Sequence, residues 1–227
     1  MDPLAGTPWS SPSTVEGFSR SEPNAVLMAY AGRVIDSLPT PVAVDVGCGA
    51  GRNAVPLVRS GWNLVGTDLS RPMLEAASAR LGRETSGGRA LVVLAPMDAL
   101  PVAAGSADLI VAHGIWNLAA SSSEMRRGIQ EAARIARAGA ALFVFTFSRH
   151  TLPPDAEPVP GESFVFTQFS GRPQCFLTGD ELLAEMEGAG FESDPSVPLT
   201  EYNRPVPGAL RGVGGPVIYE AAFRRVS

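Results

Sequence analysis

"VDVGCGAGRNAVPL", residues 44–57, carries three glycines, Gly47, Gly49 and Gly51, between an apolar run and a segment with helical spacing. A strand, a tight glycine turn and a helix N-terminus form a common cradle for nucleotides. The spacing here is G-x-G-x-G. The dinucleotide fingerprint would need glycine at 52, where Arg52 stands instead. Asp45 precedes the turn, and a carboxylate there repels a pyrophosphate and attracts an ammonium or sulfonium group. Nearby "NLVGTDL", residues 63–69, ends a second apolar run at Asp68, where a carboxylate can accept from both hydroxyls of a ribose. These features together ask for a nucleoside bearing positive charge.

The surrounding pattern predicts the sheet. "PVAVDV" (41–46), "NLVGTDL" (63–69), "ALVVLAP" (90–96), "ADLIVAH" (107–113) and "AALFVFTF" (140–147) read as strands. Helices are expected over about 51–60, 71–82 and 122–138, with Ser70 as a cap and Gly82 and Gly139 as stops. Near-continuous apolar strands alternating with helices indicate a parallel sheet covered on both faces. Residues 148–178 break the alternation with several prolines and Phe164, Phe166, Phe169 and Phe176. They read as an excursion over the carboxyl edge of the sheet. Thr178 then caps a helix at about 179–189, and "SVPLTEY" and "GPVIYEAAFRR" read as two closing strands.

Composition narrows the partners. The 227 residues are 45% hydrophobic, enough for one packed domain with a small insertion. No apolar stretch approaches the ~20 residues that span a bilayer, and the N-terminus has no apolar signal core, so a cytoplasmic protein without membrane association is expected. Net charge is −5, there is no lysine, and the arginines are scattered, which disfavours nucleic acid. Cys48 and Cys175 lie far apart without metal-ligand spacing, so neither a metal nor a disulfide is expected. Composition sets no oligomeric state.

The motif "VDVGCGAG" followed by "GTDLS" resembles the class I S-adenosylmethionine-dependent methyltransferases. The resemblance runs through "PMDALPVAAGSADLIVAHGIWNL" and "ARAGAALFVFTFS" and covers roughly residues 24–150. It implies an α/β, Rossmann-like, doubly wound sheet of seven strands, mostly parallel, with one antiparallel strand near the C-terminus. It implies a single domain over residues 23–227, preceded by a loose segment, 1–22, that could serve as a lid. S-adenosylmethionine would be the cofactor and S-adenosylhomocysteine the product. Asp45 would lie near the methionine ammonium, with Gly47, Cys48 and Gly49 against the ligand and Asp68 on the ribose. Asp98 and Ala99 would meet the adenine, Leu69 and Met97 would also touch the cofactor, and His113 and Gly114 would flank the methionine portion. "GCGAGRN" further resembles the tellurite-resistance and thiopurine-type enzymes, which makes an oxyanion or thiol an alternative acceptor. The phenylalanine-rich excursion argues for an organic small molecule instead.

Methyl transfer from a sulfonium is an in-line displacement, so a base is needed only for an acceptor that arrives protonated. His113 and His150 follow the fourth and fifth strands and are the candidate bases. Trp116, Asn117 and Tyr30 are candidate acceptor contacts. Each has a structural alternative: Trp116 and Tyr30 as packing residues, Asp45 and Asp68 as acceptors for backbone amides, Asp98 in a local turn, Cys48 as a small buried side chain. Arg52 opposes the helix dipole and is expected to pair with a carboxylate or reach toward substrate. A methyltransferase-like regulator without catalysis is the competing function, whereas a nicotinamide oxidoreductase is disfavoured by Asp45 and the absent glycine.

Overall fold

The turn at 47–51 sits where β1 and its neighbours end, and the rest of the fold explains why. The computed structural model describes residues 2–84, 87–204 and 215–226. In chain order the elements are α1 (Pro12–Arg20), α2 (Ala25–Ile35), β1 (Val42–Val46), α3 (Ala54–Arg59), β2 (Asn63–Asp68), α4 (Arg71–Leu81), β3 (Ala90–Leu94) and β4 (Ala107–His113). Then follow α5 (Ser122–Ile135), β5 (Ala136–Phe147), β6 (Val165–Phe166), β7 (Gln174–Cys175), α6 (Gly179–Gly188), β8 (Phe191–Ser193), β9 (Thr200–Tyr202) and β10 (Ile218–Arg225).

The described strands form an eight-stranded sheet of order β3-β2-β1-β4-β5-β10-β8, with β9 also paired to β10. β1 pairs in parallel with β2 and β4, β2 with β3, and β4 with β5. β10 runs antiparallel to β5, β8 and β9 and is the one reversed strand. Strand order reverses between β1 and β4, the switch point at which ligands of such sheets bind.

Side chains alternate across the sheet and divide the core. Val44, Val46, Ile110, Leu142, Val144 and Tyr219 pack with α5 and α6, whereas Ala43, Leu109, Val111, Phe143 and Ala222 pack with α2 and α3. Fully buried Phe143 alone contributes about 3 kcal/mol by area removed from water. The helices start where the sequence supplies caps: Asn24 accepts from Leu27 N, Ser70 from Met73 N, and Thr178 forms a capping box with Glu181.

Three sequence expectations are corrected. The helix read to residue 138 ends at Ile135, because the chain turns extended at Ala136 and Gly139, taken as a helix stop, lies inside β5. The strand read over 196–202 shrinks to Thr200–Tyr202, and the sheet edge goes to Phe191–Ser193, too short to show an alternation. The excursion at 148–178 contains the small β6–β7 hairpin, a sheet of its own.

At the N-terminus, α1 is capped by Ser11, and the Trp9 and Phe18 rings meet edge to face. The segment is tied to α4: Ser70 Oγ donates to Trp9 O at 3.2 Å and Arg71 N to Asp2 Oδ1 at 3.1 Å. Among the described residues no helix is long and apolar enough to cross a membrane.

Candidate active site

The glycine turn is held to the acidic loop by its own amides. Cys48 N donates to Thr67 O at 2.8 Å, Gly51 N to Cys48 O at 3.0 Å, and Gly49 N to the carboxylate Oδ2 of Asp68 at 2.9 Å. Gly47 has φ of 71°, and a Cβ there would stand 2.8 Å from the Ile115 side chain, so both backbone and space call for glycine. The Cys48 thiol is buried against Gly66. Burial, with Asp45 and Asp68 close by, pushes its pKa well up, which makes it a packing group and not a nucleophile.

Asp68 accepts from Ser70 N through Oδ1 at 2.8 Å and from Gly49 N through Oδ2. Burial raises its pKa, and the amides of Ser70, Gly49 and Leu69 oppose that. The carboxylate thus organises the turn while keeping lone pairs for a second donor on each oxygen. Asp45 is different. It is 2% exposed, and its Oδ2 has no partner among the described residues. Burial pushes its pKa up to about 7, against the pull of Arg52. Arg52 is half-buried, its own pKa lowered by that burial, and it forms no ion pair with a carboxylate among the described residues.

Arg52 instead turns to His113. Its Nη2 lies 3.0 Å from Nδ1 and 3.3 Å from Nε2 of the imidazole. The ring stacks on Phe145 at 4.1 Å between centroids, and Phe145 is in register with His113 on β4 and Glu220 on β10. His113, Phe145 and Glu220 therefore make a row on the α2 side of the sheet. Asn24, the cap of α2, closes the row. Its Nδ2 donates to Glu220 Oε1 and lies 3.2 Å from His113 Nε2, while its backbone N–H donates to Asn53 Oδ1 at 3.0 Å. Burial, then the neighbouring guanidinium, lowers the His113 pKa to about 3. The imidazole is neutral at physiological pH and carries no proton to exchange as imidazolium.

His150 stands on the other side. Along β5, Thr146 and Ser148 alternate with Phe145 and Phe147, and they point with Tyr219 toward α5 and α6. There His150 Nδ1 lies 2.7 Å from Glu201 Oε1, Ser148 Oγ donates to the same oxygen, and Arg204 Nη2 sits 3.3 Å from Nε2. The two histidines are thus on opposite faces of the sheet.

The acceptor candidates also separate. Tyr30, expected to reach the cofactor end, does not: α2 starts at that end and runs away from it, so six residues on its hydroxyl donates to Asp194 Oδ2 at 2.9 Å and its ring packs on Phe143. Trp116 is core, 1% exposed, with its indole 3.2 Å from where a Cβ of Gly128 would stand. Asn117 is 2% exposed, and its Oδ1 has no partner among the described residues. Gly114, with φ of 73°, puts no side chain between that oxygen and Phe145 Cδ1, each 3.9 Å from where a Cβ would stand. Past β3, Met97 is half-buried beside Gly128, Asp98 accepts from Arg127 Nε at 3.0 Å, and Ala99 is exposed with Leu69 half-buried nearby in the acidic loop.

Asn24, Glu220, Phe145 and Phe18 were not visible as site residues in the sequence. Glu220 left one signal, a lone carboxylate inside the apolar run "VIYEAAF". Phe18 reaches the turn from α1: its Cδ1 is 3.6 Å from where a Cβ of Gly49 would stand.

Comparison with known proteins agrees with this layout. Residues 44–144 match a family described as a methyltransferase domain. A ubiquinone/menaquinone biosynthesis C-methyltransferase from Geotalea daltonii is 26% identical over 189 residues, 75% of this chain and 79% of that protein. A methyltransferase structure from Methanosarcina mazei superposes with a TM-score of 0.67 at 17% identity, covering 91% of this chain and 99% of the other. A 1,6-didemethyltoxoflavin-N1-methyltransferase from Burkholderia thailandensis gives 0.63 at 18% identity, covering 89% and 79%. Residues 44–144 thus carry a methyltransferase domain, and with the glycine turn, the acidic loop and a sheet whose single reversed strand lies near the C-terminus the chain has the fold of the S-adenosylmethionine-dependent methyltransferases.

Proposed function

We propose that this methyltransferase uses S-adenosylmethionine to methylate a small organic molecule bound at the carboxyl edge beside His113, Gly114 and Asn117. The observation that carries the cofactor assignment is the pair Asp45 and Arg52. They feel each other's charge, yet Asp45 Oδ2 is an orphan and Arg52 has no ion pair among the described residues. Opposite charges kept apart in a low-dielectric turn suit the two ends of an amino acid, the ammonium at Asp45 and the carboxylate at Arg52. Asp68 has acceptor capacity left for ribose hydroxyls, with Leu69 and Met97–Ala99 flanking the base.

The cofactor, when bound, supplies an electrophilic methyl group on a sulfonium. The chain's contribution is alignment and exclusion of water. The glycine turn lets the backbone approach closely, and the row His113, Phe145 and Glu220 walls the α2 side. Residues 2–22 act as the lid, since Phe18 lies over Gly49 and Ser70 holds the helical turn carrying Trp9. His113 serves as a neutral wall that keeps Arg52 extended, not as a base. His150 and Glu201 clasp the end of β5 to β9 on the far face. The aromatic group of Phe147, Phe169 and Phe176, with ring centroids 5.4 to 5.7 Å apart, supports an organic acceptor over an inorganic one.

Calorimetric titration with S-adenosylmethionine and S-adenosylhomocysteine, with NADH as control, tests the assignment. Binding of the first two alone is expected. Binding of NADH in their place would overturn it.

A further inference from the structure

We infer that the methyl acceptor is an uncharged nitrogen, in an arylamine or heteroaromatic N–H compound, which donates its N–H to Asn117 and needs no base from the protein. This rests on the methyltransferase reading and narrows it to one class of acceptor atom.

The first observation is the Asn117 side chain. A carbonyl oxygen at 2% exposure without a partner among the described residues is costly unless a ligand supplies a donor. It lies beside Gly114, directly after β4, where no side chain separates it from the edge of Phe145. An aromatic N–H compound fits both neighbours: the N–H for Oδ1 and a flat ring beside Phe145.

The second observation is independent and concerns bases. The chain has two histidines and no lysine. His113 has the Arg52 guanidinium and the Asn24 amide at its two nitrogens and stays neutral without basic strength. Glu220 is buried beneath the same Asn24 amide, Asp45 serves the cofactor ammonium, and Cys48 is sealed under Gly66. Tyr30 is committed to Asp194, and His150 with Glu201 lies across the sheet. A phenol or alcohol would reach this edge with no group to take its proton.

The Asn117 oxygen separates the remaining options. A thiolate or an oxyanion brings no hydrogen to it and would leave that buried oxygen unpaired. An arylamine nitrogen, or the ring nitrogen of an azole that carries no hydrogen, has a lone pair available and brings no charge, while an N–H of the same compound is held by Asn117. That lone pair forms the new C–N bond while the C–S bond breaks and its electrons stay on sulfur. The product becomes cationic and gives its N–H proton to solvent on release.

The test is transfer of a labelled methyl group from S-adenosylmethionine to matched compounds: aniline, benzimidazole and indazole against phenol, thiophenol and benzoate. Methylation of the nitrogen set is expected, with a rate that follows the population of the neutral acceptor. Asn117→Ala should lower kcat/KM on the best nitrogen acceptor at least about tenfold, with cofactor affinity unchanged within about twofold. Asn117→Ser, which keeps an acceptor oxygen without a charge, should recover part of the loss and covers the case in which the alanine variant folds poorly. Methylation confined to phenol or thiophenol, no methylation of any nitrogen compound while cofactor binds, or indifference to both substitutions would overturn the inference and leave the methyltransferase reading standing. Failure to bind S-adenosylmethionine at all would remove both.

Discussion

Gly49 donates its backbone N–H to Asp68 Oδ2 at 2.9 Å, so the glycine turn after β1 and the acidic loop after β2 are one hydrogen-bonded unit. The carboxylate therefore has two tasks. It holds the turn in shape, and in the proposed complex it faces the ribose.

Asp68→Ala should consequently damage both. Hydrogen bonds to a charged acceptor contribute about 1.5–3 kcal/mol each, and the Gly49 and Ser70 amides lose theirs together. We expect S-adenosylmethionine affinity to fall at least about thirtyfold and the melting temperature of the free protein to drop as well. Asp68→Asn should fall between. Calorimetry and thermal melting check this, and equal affinity in Asp68→Ala would remove Asp68 from the cofactor site.

Asp45 makes the stability of the free protein depend on pH in a direction unusual for a carboxylate. Its pKa rises on folding from 3.8 to about 7 because it is buried. The folded state thus holds a proton that the unfolded chain releases. The contribution is fully present below about pH 4 and is lost as pH rises through 7, at up to about 1.4 kcal/mol per pH unit within that window. Asp45→Asn should flatten the slope in denaturation curves taken between pH 5 and 7.5. Cofactor binding near pH 7 should release a proton, because an ammonium favours the ionised carboxylate. Titrations in buffers of different ionisation enthalpy read that release, and none at all would argue against the ammonium at Asp45.

Much of this edge was legible in the sequence, and the limits have physical causes. The turn, Asp45 and Asp68 could be read because each is bound to its strand end by a short local pattern. The row His113, Phe145 and Glu220 could not. It depends on the register of β10 against β5, which joins residues 75 positions apart by pairing Glu220 with Phe145. His113 and His150 looked equivalent because both follow strands. Which face a side chain takes after the last ladder bond is decided by the alternation of β5 and by Glu201, which reaches His150 from a strand only three residues long. Tyr30 was misplaced because helical spacing gives a face but not the direction in which the helix runs relative to the site.

Gly47→Ala tests the turn from the steric side. The new methyl group would meet Ile115 at 2.8 Å, on a backbone with φ of 71°. Overpacking and left-handed strain each cost about 1–3 kcal/mol. Ile115→Ala in the same chain should remove the first part and leave the second. Chemical denaturation of the single and double variants separates them. A double variant no more stable than Gly47→Ala would mean that the contact with Ile115 is not what excludes the side chain.

The two histidines should behave unlike a catalytic pair. With His113 near 3, no limb of the pH–rate profile near 6.5 belongs to it. His113→Gln, neutral and able to accept from Arg52 and Asn24, should keep more activity than His113→Ala. His150→Ala should act on stability, through the clasp with Glu201, and leave kcat within about twofold. A tenfold loss in kcat for His150→Ala, with melting unchanged, would restore it as the base.

Phe18 makes the lid testable without touching the turn itself. Its ring is 36% exposed and packs edge to face on Trp9 while lying over Gly49. An aromatic ring about one-third exposed at that place gains most when it covers something apolar. Shielding it behind a bound ligand removes ring surface worth about 25 cal/mol per Å2. Phe18→Ala and removal of residues 2–21 should both speed cofactor dissociation, the truncation by about tenfold or more, with association little changed because the open edge is already accessible. Stopped-flow displacement of S-adenosylhomocysteine measures this. If dissociation is unaffected in either variant while thermal stability falls, α1 is a structural strut on α4, held by Ser70 and Arg71, and cofactor retention rests on the turn and the acidic loop alone.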